Sequence, residues 1–233
     1  VADPLQRGLR MFLSPDQLIQ FLLTAFLITI APGPDVLATL SLGLSRGWRV
    51  AVGFGVGCGS GCLLHTGLAV LGISAVLQAS PVAYGVLKLA GAGYLAWLGL
   101  GALRSRGVLQ LPEVPSMASA DSGMGATEEQ SQGVSGWFMR GLLANAVNPK
   151  VALFFLSFLP PFVSDRAGNR ELQLALLGVL FTVNAVVVFG LLGMFSGQLG
   201  SLLQGRAGIT RWLDRFTGLL FWVLAGRLLF VPG

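Results

Sequence analysis

Apolar residues fill six stretches of the chain, at 18–42, 48–77, 82–103, 137–163, 172–198 and 211–230. Between them lie shorter segments where arginine, serine and acidic residues gather. Each stretch reaches the roughly 20 residues a helix needs to cross a hydrocarbon core about 30 Å thick. The pattern predicts an all-α membrane protein with six transmembrane helices. The segment from Ser105 to Gly136 interrupts it, because Glu113, Asp121, Glu128 and Glu129 stand there among Ser, Gly and Met. So little apolar matter cannot fold alone. It reads as a flexible cytoplasmic linker, 104–136, between a first three-helix repeat, 18–103, and a second, 137–233, after an N-terminal segment, 1–17. Three helices is an odd number, so two similar halves lie inverted in the membrane.

Composition agrees with spans rather than a soluble fold. The 233 residues are 54% hydrophobic and 11% charged, with a mean hydropathy of +0.75, against roughly a quarter charged in soluble domains. The net charge of +5 comes almost wholly from arginines between the apolar runs, where they anchor helix ends and set orientation. Arg46, Arg49, Arg104, Arg106, Arg140, Arg206, Arg211 and Arg215 fall on one side of a six-span topology, and Arg7, Arg10, Arg166, Arg170 and Arg227 on the other. The larger set marks the cytoplasm, which puts both termini outside. No basic stripe interleaves with aromatics, so no nucleic-acid partner is expected. The first apolar run is too long for a cleavable signal peptide, and Met11 is a candidate natural start.

The first span contains an acid where none should be. In Ala31-Pro32-Gly33-Pro34-Asp35, Pro32 and Pro34 break the helical ladder as Asp35 enters, and a carboxylate at that depth costs several kcal/mol unless paired, protonated or wetted. Asn148-Pro149-Lys150 repeats the device in span four, again a proline followed by a charge. Helices one and four are thus expected to be broken, with their breaks meeting near the bilayer centre. Asp35 could accept an ammonium, while Lys150 and the amides released at Pro149 could hold a carboxylate. The two charges would neutralise each other in the empty state, and a protonation of Asp35 from outside would favour release there. Against this, Asp35 could simply cap a half-helix, and Asn148 could shape the turn before proline as well as touch a substrate. Lys88, roughly 10 Å into span three, is a pathway residue or a snorkelling anchor. Tyr94 is a gate or a core hydroxyl.

Taken together, several motifs resemble one transporter family. They are Pro32-Gly33-Pro34-Asp35, Ser45-Arg46-Gly47, Gly53 and Gly57 with His65, the run from Lys88 through Tyr94 to Gly99, and Asn145-Ala146-Val147-Asn148-Pro149-Lys150. In order and spread they look like the LysE/RhtB family of amino-acid exporters. The resemblance implies a six-helix secondary transporter of the bacterial inner membrane, not an enzyme. It would export neutral or basic amino acids or their derivatives, such as lysine, homoserine, threonine or leucine; the mechanism expected from the charged breaks is proton antiport with alternating access at a midplane site. The residues themselves give the expected substrate site at Asp35, Lys150 and Asn148, proton coupling at Asp35 and helix breaks at Pro32, Gly33, Pro34 and Pro149; the resemblance adds Lys88 to that site, with Tyr94 six residues on as a further candidate. Asp35 departs from the Asn or Gln many members carry there. No cofactor is expected, and the chain works in the bilayer as a monomer or a homodimer.

Span two carries the rival chemistry. Cys58, Cys62 and His65 fall at i, i+4 and i+7 on one helical face, a soft-ligand set suited to a heavy-metal exporter. A four-ligand site would need a further cysteine or histidine that the chain lacks. The Cys-x-x-x-Cys spacing and mid-helix position argue against a redox dithiol, and there is no Ser-His-Asp set or phosphate loop. The row Gly53/Gly57/Gly61, echoed by Gly190/Gly193/Gly197, predicts a close-packed seam between spans two and five.

Overall fold

The computed structural model describes residues 15–105, 133–163, 168–203 and 206–230. The expected N-terminal segment lies almost wholly outside these residues, as does most of the expected linker. Every regular element among them is helical: α1 Pro15–Ile30, α2 Pro34–Arg46, α3 Trp48–Ala79, α4 Pro81–Arg104, α5 Val134–Ala146, α6 Pro149–Phe158, a single 3₁₀ turn Pro160–Phe162, α7 Arg170–Met194, α8 Ser196–Leu203 and α9 Ala207–Phe230.

Proline writes most of the boundaries. α1, α2, α4 and α6 all begin with it, where its fixed φ suits a first turn and its missing N–H costs nothing. Ser80 caps α4 by accepting from the Val82 and Ala83 amides, and Asn169 caps α7 by accepting from Leu172 N. Gly47 closes α2 at φ +90°, a left-handed conformation that lets the chain fold sharply back into α3.

Among the described residues two helices, α3 over Trp48–Gly72 and α7, are long and apolar enough to cross a membrane. Two further spans follow if each bent pair counts as one, because α1 with α2, and α5 with α6 and its 3₁₀ turn, are each bent by 56° at their break. α4 and α9 are 24 residues each, about 36 Å long, but more polar; α9 carries Arg211, Asp214, Arg215 and Arg227. The stretch expected as one span at 172–198 ends instead at Met194. There the Ser196 hydroxyl turns back to Gly193 O at 2.6 Å, and α8 sets off to pack across α2.

α3 is the spine of the bundle, with its largest contacts to α7 and then α5. Its glycines divide between the two neighbours differently from the expected seam. A Cβ on Gly57 would run into the Phe138 carbonyl of α5, and one on Gly61 would meet Asn145. Gly55 and Gly59 are the residues that let α7 approach, against Phe189 and Val186. The row Gly53/Gly57/Gly61 therefore belongs to the α3–α5 crossing, one turn position away from the expected partner, and Gly141 of α5 returns the contact against the Phe54 carbonyl. α4 and α9 cross the same way at Gly99 and Gly218. Small residues at these points replace side-chain interdigitation by backbone contact, which suits a setting where lipid supplies no hydrophobic drive between helices.

An aromatic cluster fastens the half-helix α6. Phe154 lies 4.9 Å from Phe181 of α7 and 5.1 Å from Phe158, Phe155 lies 5.0 Å from Phe181, and Phe162 lies 5.3 Å from Phe21 of α1, all as ring-centroid distances. At another point, Trp137 is buried between the Arg46 and Arg140 guanidinium groups, at 4.8 and 4.7 Å.

Gly57→Ala is expected to destabilise the bundle by about 1–3 kcal/mol through overpacking at the α3–α5 crossing. Gly67→Ala, where an added Cβ meets nothing within 4 Å, is expected to be neutral or slightly stabilising through helix propensity. Thermal unfolding of the two variants in detergent checks the contrast.

Candidate functional site

The two helix breaks meet. At the first, α1 stops at Ile30, Gly33 is extended, and α2 starts at Pro34 with no side chain capping it. At the second, α5 stops at Ala146, and Asn148 caps α6 by accepting from Lys150 N at 3.0 Å. Both breaks leave backbone groups with no helical partner, which an apolar bundle must satisfy from within.

Each break is completed by the other. Asn145 and Asn148, either side of the second break, both donate from Nδ2 to Asp35 Oδ2, at 3.1 and 2.8 Å. Lys150 Nζ donates in the opposite direction, to Ala31 O at the end of α1, at 3.0 Å. All four side chains are at least nine-tenths buried. The dipoles explain why the crossing is favourable. Asp35 sits in the first turn of α2, where the positive end of the helix stabilises an anion. Lys150 sits in the first turn of α6, the wrong end for a cation, and reaches instead to the negative, carbonyl end of α1. Asp35 and Lys150 share no direct hydrogen bond, each being held by polar groups of the opposite break. Nor is Asp35 the cap of its own half-helix, since its hydrogen bonds go to α5 and the α5–α6 break. Asn148 shapes the turn through Oδ1, which accepts from Lys150 N, while Nδ2 donates to Asp35.

α3 buttresses this latch through Asn145. His65 Nε2 lies 2.9 Å from Asn145 O; a carbonyl can only accept, so the proton is on Nε2, and Nδ1 is buried without a partner. Cys62 Sγ donates weakly to Asn145 Oδ1 at 3.8 Å. This does not favour the metal reading: Cys62 and His65 are engaged with Asn145, and among the described residues no three His, Cys, Asp or Glu side chains are grouped to hold an ion. Cys58 is simply packed, at 0% exposure.

Around Asp35 a cavity of about 20 Å³ remains, room for about one water. Gly33, Asp35, Asn145, Asn148 and Lys150 line it, with Phe181 and Phe189 of α7. A Cβ on Gly33 would stand 3.3 Å from Lys150 Nζ, so glycine there makes space for the ammonium. Phe221 of α9 covers Lys150 from the other side, its ring centroid 5.5 Å from Nζ. Lys88 and Tyr94 line neither this cavity nor the larger one beside it. Tyr94 is partly exposed on α4, its ring 5.6 Å from that of Trp97.

Asn145 and the Ala31 carbonyl are the participants that sequence reasoning did not single out. Asn145 carried one signal, its place three residues before Asn148 and so on the same side of the chain at the break.

The sequence profile of the LysE type translocator family matches residues 26–231. Among curated proteins the chain is 31% identical over 204 residues to an uncharacterized membrane protein of Vibrio cholerae, covering 87% of this chain and 91% of that one. It is 28% identical over 209 residues to a homoserine/homoserine lactone efflux protein of Salmonella typhimurium, covering 90% and 93%. It is 29% identical over 212 residues to a threonine efflux protein of Escherichia coli K12, covering 88% and 94%. No solved structure matches the chain.

Asn145→Ala strips one donor from a buried carboxylate and the Oδ1 acceptor from Cys62, while the backbone carbonyl that partners His65 stays, and is expected to cost about 1–3 kcal/mol. Cys58→Ala is expected to cost less, as a small loss of packing. Denaturant titration of the purified variants measures both, and equal effects would contradict the role given to Asn145.

Proposed function

The chain belongs to the LysE type translocator family, and on that premise we propose that it exports a neutral amino acid by alternating access at the Asp35–Lys150 latch, coupled to inward proton movement. It is a membrane transporter and not an enzyme. The observation that carries the reading is the crossed pair of breaks: one buried carboxylate and one buried ammonium, each held by groups that an amino acid can replace.

An amino acid at neutral pH carries an ammonium and a carboxylate, and the cavity lining supplies one acid and one base. The substrate ammonium takes the place of the asparagine amides on Asp35. Those amides and Lys150, released from Ala31, then face the substrate carboxylate. A lysine or arginine side chain would bring a further positive charge with no second carboxylate to meet it, so the match is to neutral substrates. This agrees with the relative named for efflux of threonine, a neutral amino acid. Protonation of Asp35 from outside removes its hold on the ammonium and releases the substrate there. Because substrate binding and the latch compete for the same groups, loading the site also unfastens the two breaks and permits the opening that a cavity of about 20 Å³ requires.

The same reading takes the architecture as six spans in two inverted repeats. Broken α1/α2 corresponds to broken α5/α6, α3 to α7 and α4 to α9; the supporting observations are the matched 56° bends and the pairing of α3 with α7 and α4 with α9. It puts the chain in the bacterial inner membrane with both termini outside. Lys88 and Tyr94 remain proposals for the pathway beyond the central cavity. The heavy-metal alternative is not favoured, because Cys62 and His65 serve Asn145.

Counterflow of labelled homoserine, threonine, leucine and lysine in proteoliposomes, with and without an inward proton gradient, tests the proposal. The expected result is saturable exchange of at least one neutral amino acid and little of lysine. Asp35→Asn is expected to lower gradient-driven flux about 30–100-fold, the equivalent of one lost charge-assisted contact. Proton-driven export that survives this substitution would remove Asp35 from the coupling.

A further inference from the structure

A second cavity, of about 540 Å³, opens between the C-terminal end of α4, the first half of α9 and the first break. Its size falls within the roughly 300–1,000 Å³ of small-molecule sites. Along α9, Asp214, Thr217 and Phe221 lie at i, i+3 and i+7, one face of the helix, and all three line it. Arg104, from the last turn of α4, lines the opposite wall. Pro32 and Phe221 also border it. Pro32 precedes Gly33 of the central site, and the Phe221 ring lies against Lys150 Nζ. The larger cavity therefore ends at the residues that cover the smaller one.

Thr217 marks the cavity as more than a crevice. Buried threonines in this bundle satisfy their hydroxyls by donating to the carbonyl four residues back, as Thr24, Thr29, Thr39, Thr66 and Thr182 do at 2.7–2.9 Å. Thr217, 2% exposed, does not; its Oγ1 has no hydrogen-bond partner. Leaving a buried hydroxyl unmade is costly, and the cavity that Thr217 lines is the nearest space from which a partner can come.

We propose that this cavity is a second binding site for the transported amino acid, a vestibule that receives it from the cytoplasm before Phe221 admits it to the latch. This rests on the export reading, which puts the end of α4 in the cytoplasm. Asp214 takes the ammonium, Arg104 the carboxylate and the Thr217 hydroxyl a polar side-chain or backbone group, while Trp97 and Leu100 offer apolar cover. The site thus selects for the same zwitterion as the latch, with the same signs of charge.

Gly101 provides a reporter. It lines the vestibule, is exposed, and an added Cβ there meets nothing within 4 Å; the parent's own thiols, Cys58 and Cys62, are at most 1% exposed. In permeabilised vesicles carrying Gly101→Cys, modification by a water-soluble maleimide is timed with and without threonine, or homoserine or leucine if either exchanges faster. The amino acid is expected to slow labelling several-fold. Adding Lys150→Ala, which disables the latch, is expected to leave that protection in place, while Asp214→Asn and Thr217→Val are each expected to raise the half-protecting concentration about tenfold. Protection that vanishes with Lys150→Ala, or that ignores both vestibule substitutions, would reduce the cavity to a conduit and overturn the proposal. Counterflow by the parent is read in the same vesicles, so protection without exchange would count against the export reading and not against the site.

Discussion

Backbone polar groups released inside an apolar bundle have no water to turn to, and this constraint organises the centre of the molecule. Proline interrupts the chain at 32, 34 and 149, and every interruption frees carbonyls or amides that must find partners within the protein. The chain solves the problem crosswise. The carbonyl freed at Ala31 is taken by a lysine from the other break, and the acid beside the first break is taken by asparagines flanking the second. Neither break is complete alone. A charge buried without its partner would cost several kcal/mol, so the two half-helix pairs are tied together far more firmly than their packing alone would require.

The rest of the bundle divides between what holds still and what that tie allows to move. α3 is held on two sides by backbone contact through glycine, against α5 at Gly57 and against α7 at Gly59. It presents Cys62 and His65 to Asn145 from a fixed position. α6 is fixed differently, by phenylalanine rings of α1 and α7. Asn145 and Lys150 consequently start from well-anchored helices, whereas the bonds between them and the first break are few and polar. Packed interfaces resist gradual deformation, and a handful of hydrogen bonds exchanged for substrate bonds is the kind of change that switches such a bundle between discrete arrangements.

Much of this was legible in the sequence because proline and intramembrane charge are local signals with few interpretations. Both breaks, the charges beside them and their meeting could be read from Pro34-Asp35 and Pro149-Lys150 alone. The partners could not. Nothing in a linear sequence distinguishes a carboxylate paired with a lysine from one held by two asparagine amides, because the choice depends on how α5 ends relative to α2. Cys58, Cys62 and His65 misled for the same reason. Helical spacing shows which side chains share a face, and only the neighbouring helix decides whether that face gathers around an ion or leans on an asparagine. The row Gly53/Gly57/Gly61 was recognised as a close contact but assigned to α7, since the period places a face without naming the helix opposite, whereas Gly193 of the second row does lie against Val52 of α3 as expected. The stop at Met194 escaped because Phe195-Ser196 contains no proline, and the turn depends on a hydroxyl bonding back to Gly193.

The two cavities give the structure a direction. The central one is too small for an amino acid and the outer one is large enough, and Phe221 borders the outer cavity with its ring set over the lysine of the inner site. A ligand in the outer cavity gains nothing by moving inward unless the inner site can replace the bonds it must break, and Asp35 and Lys150 are already satisfied by the protein. Under the proposed export, an amino acid would displace these bonds by offering both charges at once, its ammonium to Asp35 and its carboxylate to Lys150, whereas a lone cation would free the asparagines and leave Lys150 on Ala31. A ligand shifts the balance between closed and open arrangements only by its difference in affinity for the two, so that reading requires exchange at both ends.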